Sequence, residues 1–182
     1  MAPETEPQSA QGTTTLLNWK NERGNPVYPS FGTIREWCET FNVTPRLYCG
    51  WYQIPGTNRW LWFPHTEVGG SHGWRNWYSN PYVIEEDLGD EQERGNAPLL
   101  AQRNREKVEE EIRKQENGEH AYRLVFFNDN RQSGSIGPLK NCFGFLGVFR
   151  IDAEKSRQSG KCVYVRVADA VEVPSGIAQD LA

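Results

Sequence analysis

Two hydrophobic periods divide the chain. Near residue 34 the apolar positions recur at helical spacing: Ile34, Trp37, Cys38 and Phe41 fall on one face. Thr33 and Glu36, three apart, form a capping box at the start, and the helix ends near Asn42, before Pro45. A second helix is predicted over 98–117. Asn96 caps it, Pro98 suits its first turn and Gly118 stops it. Its apolar stripe is narrow (Leu100, Val108, Ile112) and Asn104 interrupts it. The rest is charged, with Glu109–Arg113 and Glu110–Lys114 spaced as ion pairs four apart.

Elsewhere the period is 2. Residues 47–63 read as a β-hairpin, LYCGWYQI and RWLWF around the turn PGTN. After residue 121, three runs predict an antiparallel meander: YRLVFF, CFGFLGVFRI and KCVYVRV. A polar, glycine-rich excursion (128–139) and a polar loop, DAEKSRQSG, separate them, and Gly144 and Gly147 signal a bulge or a close backbone approach. Five to seven strands and two main helices make an α+β fold. We expect a compact curved antiparallel sheet or a small barrel with the helices alongside. Residues 16–173 form the single domain, after a disordered leader at 1–15 and before a weakly structured tail at 174–182.

Alternation assigns faces within the hairpin. Trp51 and Gln53 share one face; Tyr52 and Ile54 take the other. On the return strand Trp60 and Trp62 share a face, opposite Arg59, Leu61 and Phe63. Five of the seven tryptophans lie between residues 51 and 77, and Ile54, Leu61 and Val68 are the only aliphatics in that stretch. Trp74, Arg75, Asn76, Trp77 and Tyr78 follow in a glycine-containing loop (64–82) of a length that often carries function. So many rings make either the core of a twisted sheet or a stacking platform for a planar ligand. On the second reading Arg59, Arg75 and Asn76 are planar donors for a base edge or a phosphate.

Charge and cysteine usage narrow the classes. The net charge is −4, with the acidic excess in the leader and in 84–120, where twelve acidic residues face six basic ones. The aromatic-bearing parts are mildly basic, which leaves nucleic-acid binding open. Without a secretory signal or an apolar run of membrane length, the expected location is cytoplasmic, or nuclear in a eukaryote. Cys38, Cys49, Cys142 and Cys162 lack zinc-knuckle spacing and read as structural thiols.

No phosphate-binding loop, dinucleotide fingerprint, nucleophile elbow or HExxH is present, and no cofactor is implied. Asp152, Glu154 and Lys155 match the acid–acid–Lys pattern of metal-dependent nucleases only loosely, and such residues are also ordinary in a hairpin loop. His65 and His72 with Cys49 form an equally weak zinc pattern.

The C-terminal run, YRLVFF, a polar loop, NCFGFLGVFRID and then KCVYVRVADAVEV, resembles the strand–loop–strand ending of PUA-like β-barrel reader modules. These include the SRA-type readers of modified bases, and similar strands occur in prokaryotic restriction systems. The resemblance covers residues 120–173. It implies a small PUA-like barrel, a ring-lined pocket for a flipped base, modified or plain, and basic loops on the nucleic-acid backbone. Trp51, Trp60, Trp62, Trp74, Trp77 and Tyr78 are then the candidate rings, with Arg59, Arg75 and Asn76 as polar contacts. Lys140, Arg150 and Arg166 are candidates for phosphates. The expected function is DNA or RNA recognition without catalysis. Its rivals are a protein-interaction domain using 64–82 or 98–117, and a metal-dependent nuclease.

Overall fold

The computed structural model describes residues 14–20, 22–24, 32–46, 49–64, 83–86, 96–127 and 142–174. In chain order the elements are β1 (Thr14–Asn18), α1 (Ile34–Thr40), β2 (Trp51–Gln53), β3 (Arg59–Trp62), β4 (Val83–Glu86), α2 (Ala97–Glu116), β5 (Tyr122–Phe127), β6 (Gly144–Ile151), α3 (Ala153–Ser159), β7 (Cys162–Ala168) and β8 (Ala170–Pro174). Residues 1–13 of the leader expected over 1–15, the residues after 174 and the stretches 65–82 and 128–141 lie outside the described residues, while Thr14 and Thr15 belong to β1.

Six strands form one sheet in the order β2-β3-β5-β6-β7-β4, and β1 and β8 pair as a second, two-stranded sheet. The arrangement is α+β, as the element count indicates, and β5, β6 and β7 are the expected antiparallel meander. Two features differ from expectation. The sheet is open, with β2 and β4 as its edges, and is not a closed barrel. It is also mixed, because β3 and β5 run parallel. Parallel neighbours need a crossover. Here the chain between them supplies β4 at the far edge and α2 on one face.

Both faces of the sheet are covered, which explains why β5 and β6 are apolar at nearly every position rather than alternating. One core layer joins Trp37 of α1, Phe41 just after it, and Leu17, Val171 and Val173 of the small sheet to Leu61, Leu124, Phe126 and Phe145. The other joins Val108 and Ile112 of α2 to Val125, Phe127, Leu146, Phe149, Ile151 and Tyr164. Cys38 and Cys162 are buried in these layers, and burial pushes their thiols up to about 11 and about 12.

The helix boundaries follow the capping signals. The Glu36 N–H donates to Thr33 Oγ1 (3.2 Å), and the Thr33 N–H donates to the Glu36 carboxylate (2.6 Å). The Leu99 N–H donates to Asn96 Oδ1 at the start of α2, and Gly118 (φ 75°) follows its end. The segment expected as a polar loop after β6 is instead the helix α3. Asp152 caps it, Gly160 (φ 70°) ends it, and the buried Ser156 hydroxyl accepts from the Val163 N–H at 2.8 Å. Glu110 pairs with Lys114 as expected (2.5 Å). Glu109 does not pair with Arg113. It meets both ends of the Arg157 fork on α3, at 2.9 and 2.8 Å. A planar guanidinium grips a carboxylate at two points, and the neighbouring helix holds one in reach.

At Gly147 the register of β6 against β5 shifts, and the backbone adopts φ 129°. A Cβ there would lie 2.7 Å from Arg166 Nε and 3.0 Å from the Ala168 carbonyl oxygen. The glycine signal in CFGFLGVFRI therefore marks a close approach by an arginine. Among the described residues no helix is long and apolar enough to cross a membrane.

Candidate functional site

The hairpin register opposes Trp51 to Trp62 and Gln53 to Trp60. Alternation pairs Trp60 with Trp62 on one face of β3, as the sequence predicts, and the register adds Trp51 to that face, the side covered by α2. The rings contact one another. Trp51 stacks on Trp62 at 5.1 Å between centroids and meets Trp60 edge-on at 6.3 Å. His120 packs against Trp60 (4.4 Å) and Trp51 (6.1 Å), and Tyr164 meets Trp62 at 4.9 Å. Trp62 is buried, whereas Trp51 and Trp60 are half-buried. The Trp60 indole N–H donates to the Glu119 carbonyl at 3.0 Å, which fixes the ring's orientation.

A cation lies beneath these rings. The parallel β3–β5 register puts Arg123 beside Trp60. Its guanidinium is 4.0 Å from the Tyr164 ring, 5.0 Å from Trp51 and 5.7 Å from Trp62. Nη2 donates to Glu111 of α2, while Nε and Nη1 have no hydrogen-bond partner among the described residues. The surrounding ring faces supply the electrostatic attraction instead. Glu111 also contacts Lys107 (2.9 Å), Lys114 (3.3 Å) and His120 (3.5 Å). Burial alone would raise the Glu111 carboxyl. Arg123 and the two lysines outweigh it and hold the group at about 2. Burial lowers the His120 pKa, and the attraction of Glu111 only partly opposes that.

These partners escaped the sequence reading, although faint signals existed. Glu111 lies in register with the apolar stripe, three positions after Val108 and beside Ile112. Arg123 interrupts an otherwise apolar strand.

The other predicted residues separate. Arg59 is exposed on the opposite face of β3, beside Tyr122 across the strand pair. The Arg150 guanidinium lies 5.2 Å from the Tyr122 ring centroid. Arg166 is held inward: its guanidinium sits 3.6 Å from the Trp19 ring and 5.3 Å from Phe149, and its nitrogens are shut off from solvent. Trp74, Arg75, Asn76, Trp77, Tyr78 and Lys140 lie outside the described residues, as do His65 and His72 of the zinc pattern. The acids of the nuclease pattern are engaged locally. Asp152 accepts from the Lys155 N–H (3.0 Å) and Glu154 from Gln158 (3.1 Å). No cluster of three metal-binding side chains occurs among the described residues.

No protein-family model and no curated protein matches the sequence. A solved structure does match in fold: "The 5-Hydroxymethylcytosine-Specific Restriction Enzyme AbaSI", with a TM-score of 0.50 and 17% identity. The likeness covers 79% of this chain but only 39% of that one, so this chain spans well under half the length of that enzyme.

Proposed function

We propose that the protein is a nucleic-acid-recognition module that reads a base, plain or modified, by stacking it on Trp51 and Trp60. One observation carries this reading. Two half-buried indoles stand side by side on one sheet face, clamped from below by Trp62 and by the buried Arg123. Such rings present flat surfaces at fixed angles, and a base stacked on an aromatic side chain gains about 1–3 kcal/mol. The neutral imidazole of His120, edge-on to Trp60, adds a polar group at the rim. In this reading Trp74, Trp77 and Tyr78 contribute further rings, and Arg75 and Asn76 planar donors.

Two likenesses support a modified cytosine in DNA as the base. The C-terminal strands resemble PUA-like readers, and the fold is similar to an enzyme described as specific for 5-hydroxymethylcytosine. The first implies a flipped base held against rings, the chemistry this face offers, and the second names the modified cytosine.

Anisotropy of labelled oligonucleotides tests the reading, using single and double strands that carry cytosine, 5-methylcytosine or 5-hydroxymethylcytosine. The expected result is saturable binding that one cytosine form strengthens and that Trp60→Ala weakens about tenfold. Equal affinity for all forms, unchanged by Trp60→Ala, would overturn it.

A further inference from the structure

On the sheet face opposite the tryptophans, one row of side chains crosses three strands. Arg59 of β3 is the register partner of Tyr122 on β5. The Arg123–Phe149 pair sets Arg150 of β6 next to Tyr122, and the Arg150 guanidinium lies over its ring. These three residues line a cavity of about 370 Å³, completed by small apolar side chains that include Ala168, Ala170 and Val171. That volume is in the lower part of the ~300–1,000 Å³ range of small-ligand sites.

Among the described residues nothing compensates the charges in this cavity. No carboxylate among the described residues pairs with Arg59 or Arg150, and Arg150 Nε is buried without a hydrogen-bond partner. Of the acids that flank the lining segments, Asp152 accepts from the Lys155 N–H (3.0 Å), Asp169 accepts from the Trp19 indole N–H (2.8 Å) and pairs with Lys20 (3.1 Å), and Glu172 is exposed. Two guanidinium forks beside a ring and a small-residue wall suit a tetrahedral oxyanion attached to a compact body.

We propose that this cavity binds a phosphate group, with Arg59 and Arg150 as its ligands and Tyr122 holding Arg150 in place. The phosphate comes either from a nucleic-acid strand or from a free nucleotide. The proposal stands apart from base stacking on Trp51 and Trp60, because no side chain is shared between the two faces.

Calorimetric titration with inorganic phosphate and with a nucleoside 5′-monophosphate tests it, together with anisotropy of a labelled oligonucleotide. The variants are Arg59→Ala, Arg150→Lys and Arg157→Ala. Arg59 is exposed, so its loss leaves the fold intact. Arg150→Lys keeps the charge and removes the fork. Arg157, paired with Glu109 on α3, is the control for net charge. The expected result is that Arg59→Ala and Arg150→Lys each weaken phosphate-dependent binding about tenfold or more, while Arg157→Ala does not. Loss with the monophosphate assigns the site to a free nucleotide; loss with the oligonucleotide alone assigns it to the strand. The proposal is overturned if no probe binds the wild type, or if Arg157→Ala weakens binding as much as the other two. Failure of the base-stacking reading would show in Trp60→Ala and leave these comparisons unchanged.

Discussion

The guanidinium of Arg123 on β5 and the carboxylate of Glu111 on α2 form an ion pair from which solvent is excluded, their side chains only 1% and 2% exposed. This contact fastens the charged helix to the aromatic face. Two ions out of water attract strongly, but each alone would be costly.

Glu111→Gln should therefore destabilise the protein by about 3–5 kcal/mol, since Arg123 is left as a buried charge without a counter-ion, and Arg123→Met should cost less, because Lys107 and Lys114 still face Glu111. Urea denaturation of Glu111→Gln and Arg123→Met checks this. Replacing both residues with apolar ones of similar volume should cost less than Glu111→Gln alone. A Glu111→Gln loss below about 1 kcal/mol would mean that water reaches the pair.

The same cluster predicts acid sensitivity in two stages. Burial lowers the His120 pKa below 6.5, so the unfolded chain takes up a proton more readily than the folded one. Stability then falls as the pH drops below about 6.5. Glu111 titrates at about 2 in the fold against 4.5 in the free side chain. Its stabilising contribution is complete above 4.5 and is lost as the pH falls from there toward 2. Urea midpoints measured from pH 8 to pH 3 should show both stages. His120→Gln should remove the upper one and Glu111→Gln should shrink the lower one, to which the lowered carboxyls of Glu36, Glu110 and Asp169 also contribute.

Gly147→Ala should be disproportionately harmful for a one-carbon change. The residue sits at φ 129°, and the added Cβ meets Arg166 Nε and the Ala168 carbonyl. Backbone strain of this type is worth about 1–3 kcal/mol, and displacement of Arg166 from the Trp19 ring adds to it. Gly56→Ala, at φ 74° with nothing within 4 Å of its Cβ, is the comparison. Thermal denaturation of the two variants should separate strain alone from strain with collision.

Helix α3 depends on two side chains, the local cap Asp152 and the buried Ser156 that ties it to β7. Asp152→Ala removes the N-cap and should cost about 1 kcal/mol. Ser156→Ala leaves the buried Val163 N–H without its acceptor and should cost about 1–3 kcal/mol. If Asp152→Ala cost more than Ser156→Ala, Asp152 would have a role beyond capping. Hydrogen exchange at the Lys155 and Val163 amides reads the two bonds separately.

Local rules decided a good deal. The boundaries of α1 and α2 follow from Thr33, Glu36, Asn96 and Gly118, because caps are satisfied within a few residues of the helix end. The shared face of Trp60 and Trp62 follows from the period of a strand, whereas the register across the hairpin adds Trp51 to it. The meander of β5, β6 and β7 follows from three apolar runs in succession. Helix α3 was less legible. Asp152 and Gly160 are cap residues, but seven polar-rich positions carry no apolar stripe between them.

Tertiary structure decided how distant parts meet. The parallel pairing of β3 with β5 joins segments some sixty residues apart, and local propensity does not encode such a partner. That pairing brings Arg123 under the tryptophans and Tyr122 beside Arg59. α2 then turns Glu111 inward because the buried guanidinium needs a counter-charge. Alternation alone separates Arg59 from Trp60. Only the register of three strands shows that Arg59 shares a cavity with Arg150, whereas Arg166, equally basic in sequence, is packed against Trp19. The physical reason is the same in each case. A side chain's period is set by its own backbone, but its partner is set by which surfaces are buried together.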